Sequence, residues 1–191
     1  MLTEEEIAEN KVRYVELLTH LEVDVSRFVK YLESSRVDFF NKPFTVYKGG
    51  DYAGSLCKHS LNAYAEIKKL CEIYCPNVYS EKEIIKVALL KDIYKAELYE
   101  KFSKNVKNEE TGKWETAEAY RIKEERPVFG EVGFSSYMIA KKFFEFEDDE
   151  IVEAIVNSRN EGIDGHNIRQ TYKLVPITQM AETAVDYFYG E

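Results

Sequence analysis

Apolar residues recur along much of this chain at the three- and four-residue spacing of amphipathic helices. Thr3 and Glu6 form a capping box ahead of Ile7, Val12, Val15 and Leu18, which predicts a first helix to about His20, where an imidazole suits the helix dipole. Val25, Phe28, Val29 and Leu32 mark a second helix. Pro43, Gly49, Gly50 and Gly54 make residues 37–55 a loop with turns. A helix follows over 56–74, with Leu56, His59, Ala63, Ile67, Leu70 and Ile73 on one inward face. Ser80 and Glu83 form a second capping box, and the apolar positions 84, 85, 88, 89, 93 and 96 predict a largely buried helix running from Ile84 to Tyr99. The turn residues 109–112 lie between two extended segments and predict a small β-hairpin over about 104–121, with Trp114 as hairpin packing and Tyr120 beside it on the return strand.

Three further helices complete the pattern. The first, over 130–144, carries Val132, Tyr137, Met138, Ile139 and Phe143 as core. The second runs from Asp148 to Ser158, and the last over 174–190 with Pro176 in its first turn. Between the last two, residues 160–166 read as a loop that leaves His166 solvated. The expected fold is an all-α helical bundle with one small hairpin, a single domain over 1–191.

Composition narrows the partners. Hydrophobic residues at 45% are enough for a packed core rather than a disordered chain. A net charge of −9 argues against general nucleic-acid binding, which needs a basic face. It leaves room for a local basic pocket that takes one small anion, and for a basic protein partner. Cys57, Cys71 and Cys75 are odd in number, and the last two sit one helical turn apart, so three free thiols are expected rather than a bridge or a zinc site. No apolar run has the length of a membrane span and the first residues are acidic, so a cytoplasmic location without membrane contact is expected.

The candidate chemistry lies inside the most apolar run, which carries two adjacent charges, Lys91 and Asp92. Burying a charge is costly unless it is paired or coordinates something, so a site belongs here. The stretch LLKDIYKAELY, residues 89–99, resembles the LLHDxxKxxxY helix of the HD-domain phosphohydrolase superfamily, in particular its small bacterial and phage members. HSLNAY from His59 resembles the family's first histidine segment, and the 38–54 loop and the NVKNEETGKW hairpin also have counterparts. The resemblance spans roughly 12–189 and implies an HD-domain-like bundle.

In that family the His-Asp pair holds a catalytic metal. Position by position, His59 keeps the first histidine and Asp92 the aspartate, while Lys91 replaces the histidine of the pair. Glu131 falls near a third histidine, Ser158–Arg159 where a fourth is absent, and Glu182 where relatives carry an aspartate. Lys95 matches a lysine that can reach a substrate phosphate, with Lys48, Lys58 and Arg159 able to join it. A protonated lysine offers a metal no lone pair, and it would sit as a cation among Asp92, Glu182 and Glu131.

The resemblance therefore implies a catalytically degenerate protein, a pseudoenzyme without metal or other cofactor. Its remnant site would consist of His59, Lys91, Asp92, Lys95, Glu131 and Glu182, and would bind a nucleotide or other phosphorylated ligand, or engage a protein partner. One alternative is a residual phosphohydrolase using Mn²⁺ or Mg²⁺ on His59, Asp92, Glu131 and Glu182. Another is an inhibitory or structural interaction protein of a phage or mobile element.

Overall fold

The computed structural model describes residues 1–47, 49–109, 111–125, 130–159 and 172–189. Both capping boxes form: Thr3 starts α1 (Glu4–Thr19), and Ser80 starts α4 (Glu81–Leu90). Between them lie α2 (Ser26–Glu33), a short 3₁₀ turn (Phe39–Asn41) and α3 (Ser55–Tyr74). After α4 come α5 (Lys95–Leu98), strands β1 (Tyr99–Lys107) and β2 (Trp114–Ile122), then α6 (Val132–Ala140), α7 (Asp149–Val156) and α8 (Leu174–Phe188). No helix among the described residues is long and apolar enough to cross a membrane.

The core gathers where α3 and α4 pack on each other, with α8 against α3 and α7 against α4. Tyr14, Phe28, Phe39, Leu56, Ile67, Ile85 and Leu89 are fully buried there. Three apolar positions assigned to inward faces lie at the surface instead: Val12, Ile73 and Met138 are 65%, 60% and 38% exposed. Tyr14 takes the place of Val12 on α1, because its hydroxyl finds a buried acceptor. All three cysteines are buried and free.

Several expectations need correction. The fold is mixed rather than all-α: a mostly helical body carries an antiparallel pair of nine-residue strands in register from Tyr99↔Ile122 to Lys107↔Trp114. The hairpin is longer than 104–121 because its first strand starts immediately after α5. The Lys42 ammonium donates to the Tyr99 carbonyl at 3.1 Å, and the Tyr120 hydroxyl to the Asn41 carbonyl at 3.0 Å, so the base is tied to the body. Trp114, expected to pack in the hairpin, is 72% exposed.

The run from Ile84 is also not one helix. It stops at Leu90 and tightens into i→i+3 bonds, Lys95 N–H to Asp92 O and Ala96 N–H to Ile93 O. Distant side chains satisfy the backbone groups this frees. The Tyr14 hydroxyl donates to Leu89 O at 2.5 Å, and Ser136 Oγ accepts from Tyr94 N–H at 3.1 Å. Lys91 thereby becomes the C-cap of α4, and Lys91-Asp92 sits at a helix end facing α3 and α8.

One close approach sets the position of α6 on α7. A Cβ on Gly133 would lie 2.3 Å from Val156 O and 2.6 Å from Ile155 O, backbone atoms that cannot swing aside. Gly133→Ala should therefore cost about 1–3 kcal/mol through overpacking, read as a lower urea midpoint. An unchanged midpoint would mean that the two helices slide apart freely.

Candidate functional site

Three elements bring charged side chains to one buried point. His59 comes from the first turns of α3, Lys91, Asp92 and Lys95 from the break after α4, and Glu182 from the middle of α8. All five are buried, and Lys91 is completely so. The Lys91 ammonium contacts the Asp92 carboxylate and lies 2.6 Å from Glu182 Oε1. His59 Nε2 lies 3.2 Å from Glu182 and 3.9 Å from Asp92. Lys95 Nζ pairs with Asp92 Oδ1 at 3.3 Å, but the angle is not that of a hydrogen bond, and Oδ1 has no hydrogen-bond partner among the described residues.

Two residues beyond this set complete the cluster. The Arg159 guanidinium, just past α7, lies 2.7 Å from Glu182 Oε2 and 3.1 Å from Asp186. Asp186 is one turn beyond Glu182 on α8, and an acid pair at i, i+4 was open to a helical reading of the sequence. The sequence offers Arg159 as a cation near Lys95, whereas in the structure it balances the α8 carboxylates. Glu131 does not join. It caps the start of α6 in an exposed position, and no described residue pairs with it. Lys48 and His166 lie outside the described residues.

The electrostatics follow from burial and pairing. Burial opposes the Lys91 charge, but Asp92 and Glu182 outweigh it and raise its pKa. Burial would lift both carboxyls; instead Lys91 holds each below the ordinary carboxylate range, with Lys95 and Arg159 helping at Asp92 and His59 at Glu182. Burial lowers the His59 pKa despite Glu182, which leaves a neutral imidazole at pH 7. Burial also pulls Lys95 down to about 8 against the attraction of Asp92.

Phe44, in the loop before α3, closes the cluster from outside. Its ring stacks on the His59 imidazole with centroids 3.5 Å apart and 12° between planes, while Lys95 Nζ lies 3.4 Å from the same centroid. Two neighbours at such distances fit only on opposite faces, so the ring is wedged between His59 and Lys95. Beyond it opens a cleft of about 370 Å³, lined by Lys58, His59, Asn62, Arg159 and Asp186 among others. Lys91, Asp92 and Lys95 do not reach its wall.

His59, Asp92 and Glu182 each offer a ligand atom within 4.8 Å of one another, the spread a metal ion would need. The donor set nevertheless does not fit a divalent cation, because the Lys91 ammonium touches both carboxylates and would be repelled by a second cation between them. The same atoms form a filled ion pair with a balanced charge count: Lys91, Lys95 and Arg159 against Asp92, Glu182 and Asp186.

No protein-family model, curated protein or solved structure matches the chain.

Proposed function

We propose that the chain is a catalytically degenerate HD-like protein, a binding module whose cleft takes a small phosphorylated ligand of nucleotide size. The observation that carries this is the Lys91 ammonium between Asp92 and Glu182, in the space where the family resemblance would have a metal. A tethered cation there neutralises the carboxylates and supplies no activated water, so hydrolysis by the family route has no nucleophile. Support for the HD-like origin is the meeting of His59, Lys91-Asp92 and Glu182, residues matched to the motif from three separate helices. Support for an anionic ligand is the position of Lys58 on the cleft wall, with Asn62 as a neutral donor and the Phe44 and Tyr52 rings beside it; Arg159 on the same wall is shared with Glu182 and Asp186.

The test is binding without metal. In chelator the melting temperature should stay within about a degree or two of the untreated protein, and a nucleoside phosphate should raise it. Lys58→Glu should abolish that rise. No phosphate should be released when Mn²⁺ is added. Mn²⁺-dependent turnover, or a large fall in chelator, would establish the competing reading of a residual hydrolase on His59, Asp92 and Glu182. A failure of every phosphate compound to shift the melting temperature would refute the ligand class.

The metal side of the proposal has its own check. Lys91→His removes the obstructing cation and adds an imidazole lone pair beside His59, Asp92 and Glu182. That variant should bind Mn²⁺ or Ni²⁺ in calorimetric titration where the parent does not. Equal heats from both proteins would show that Lys91 is not what keeps metal out.

A further inference from the structure

A second groove lies at the other end of α4, about 13 Å along the helix from the ionic cluster at 1.5 Å per residue between Lys82 and Lys91. It encloses about 610 Å³, more than the cleft beside His59. Its floor is apolar: Leu21, Phe144 and Ile151 are buried beneath it, and Phe143 and Phe146 are partly covered at its sides. Val23, in the turn between α1 and α2, stands 53% exposed at its edge.

The charges around this floor are not balanced. Lys82 is held by Glu22 at 2.5 Å. Lys86 donates to the Glu145 carbonyl at 2.9 Å and lies 5.4 Å from the Phe146 ring centroid, so it is drawn onto the wall. The Glu83 carboxylate is committed to the Ser80 capping box, and Asp148 caps α7 through Glu150 N–H. The carboxylates of Glu145 and Glu147 are exposed and have no hydrogen bond or ion pair among the described residues. The charge left for a visitor is therefore negative, above an apolar floor.

We propose that this groove docks a basic amphipathic segment of a protein partner, its apolar side chains on Phe143, Phe146 and Val23 and its cations against Glu145 and Glu147. The net charge of −9 favours this occupant over a second copy of the chain, which would bring the same charge to the contact. The proposal is independent of what fills the cleft beside His59, since the two sites share no lining residue.

The probe is a fluorescein-labelled peptide of about 18 residues, leucine and lysine only, with the leucines on one helical face. Its anisotropy is titrated with the full chain at low and high salt. The peptide should bind, and binding should weaken as salt rises. The double variant Glu145→Gln/Glu147→Gln should weaken it by about tenfold, and Val23→Lys should do the same, because a cation would replace the apolar edge. The control Glu5→Gln/Glu9→Gln, on exposed α1 positions, removes the same charge elsewhere and should leave binding within about twofold, since distant surface charges are screened. Equal weakening by the control would reduce the effect to net charge and overturn the proposal. So would the absence of binding, or equal binding of a scrambled peptide whose leucines face all round. Melting temperatures of the variants confirm that each is folded.

Discussion

Lys91→Met should destabilise the protein by about 3–5 kcal/mol, the range found when one partner of a buried pair is removed. Methionine fills much of the same volume, so the loss is electrostatic rather than a cavity. Asp92 and Glu182 would remain side by side and buried, without the cation that contacts both. Their pKa values are held low chiefly by Lys91, so one carboxyl should take up a proton in the variant. His59 supplies a second readout. Burial lowers its pKa and the Lys91 charge adds to the lowering, while Glu182 at 3.2 Å opposes both. With Lys91 gone and one carboxyl protonated its titration should shift, visible in the imidazole proton shifts. Urea melts at pH 7 give the stability and NMR gives the histidine. A variant as stable as the parent, with an unmoved histidine, would place Lys91 in solvent and dissolve the site.

The parent's acid response has a determined sign. Asp92 and Glu182 have folded pKa values below their unfolded ones, so their contribution is complete above the ordinary carboxylate range. It is lost as pH falls from about 4 toward their folded values. In Lys91→Met that acid-sensitive part should be smaller, because less of it exists at neutral pH.

The parts of the site that were legible in the sequence are those where a charge interrupts an apolar face. Lys91 and Asp92 stand out in the Ile84–Ala96 run and His59 on the inward face of α3, whereas Glu182 is placed only by the family resemblance. Local signals also fixed the starts of α1 and α4 through their capping boxes. The end of α4 depends on tertiary partners. Nothing between Ile84 and Tyr99 announces the break after Leu90, because the groups that make it affordable are Tyr14 on α1 and Ser136 on α6. Glu131 was assigned by alignment to a motif, and such an assignment carries no information about which way an N-cap residue faces. Phe44 gave no signal at all: a phenylalanine in a loop of aromatic residues becomes a wedge only when α3 and the α4 break close on either side of it.

Lys95→Met should act in the opposite direction from Lys91→Met. The two lysines share Asp92 as a partner, yet their environments differ in balance. Lys91 gains enough from two carboxylates to keep its charge, whereas burial depresses Lys95 to about 8 despite Asp92. A lysine whose folded pKa lies below its unfolded value binds its proton less well in the native state, so the charged form costs stability below about pH 8. At about 1.4 kcal/mol per pKa unit the cost is roughly 3 kcal/mol at pH 7, and methionine should recover much of it. As pH rises toward the unfolded lysine value of about 10.4, the parent sheds the same cost and the variant's advantage should shrink, most of it by about pH 9.5. The parent's own profile cannot isolate this. Cys57 and Cys71 have thiols raised by burial to about 12 and about 11, and they lose stability over the same alkaline window. The difference between parent and variant cancels the thiols. Urea melts of both proteins at intervals from pH 7 to 9.5 therefore give the test: a variant more stable at pH 7 with a gap that closes on alkalinisation is expected. A variant less stable at every pH would mean that the Lys95 ammonium on Phe44 and Asp92 is a net support of the fold.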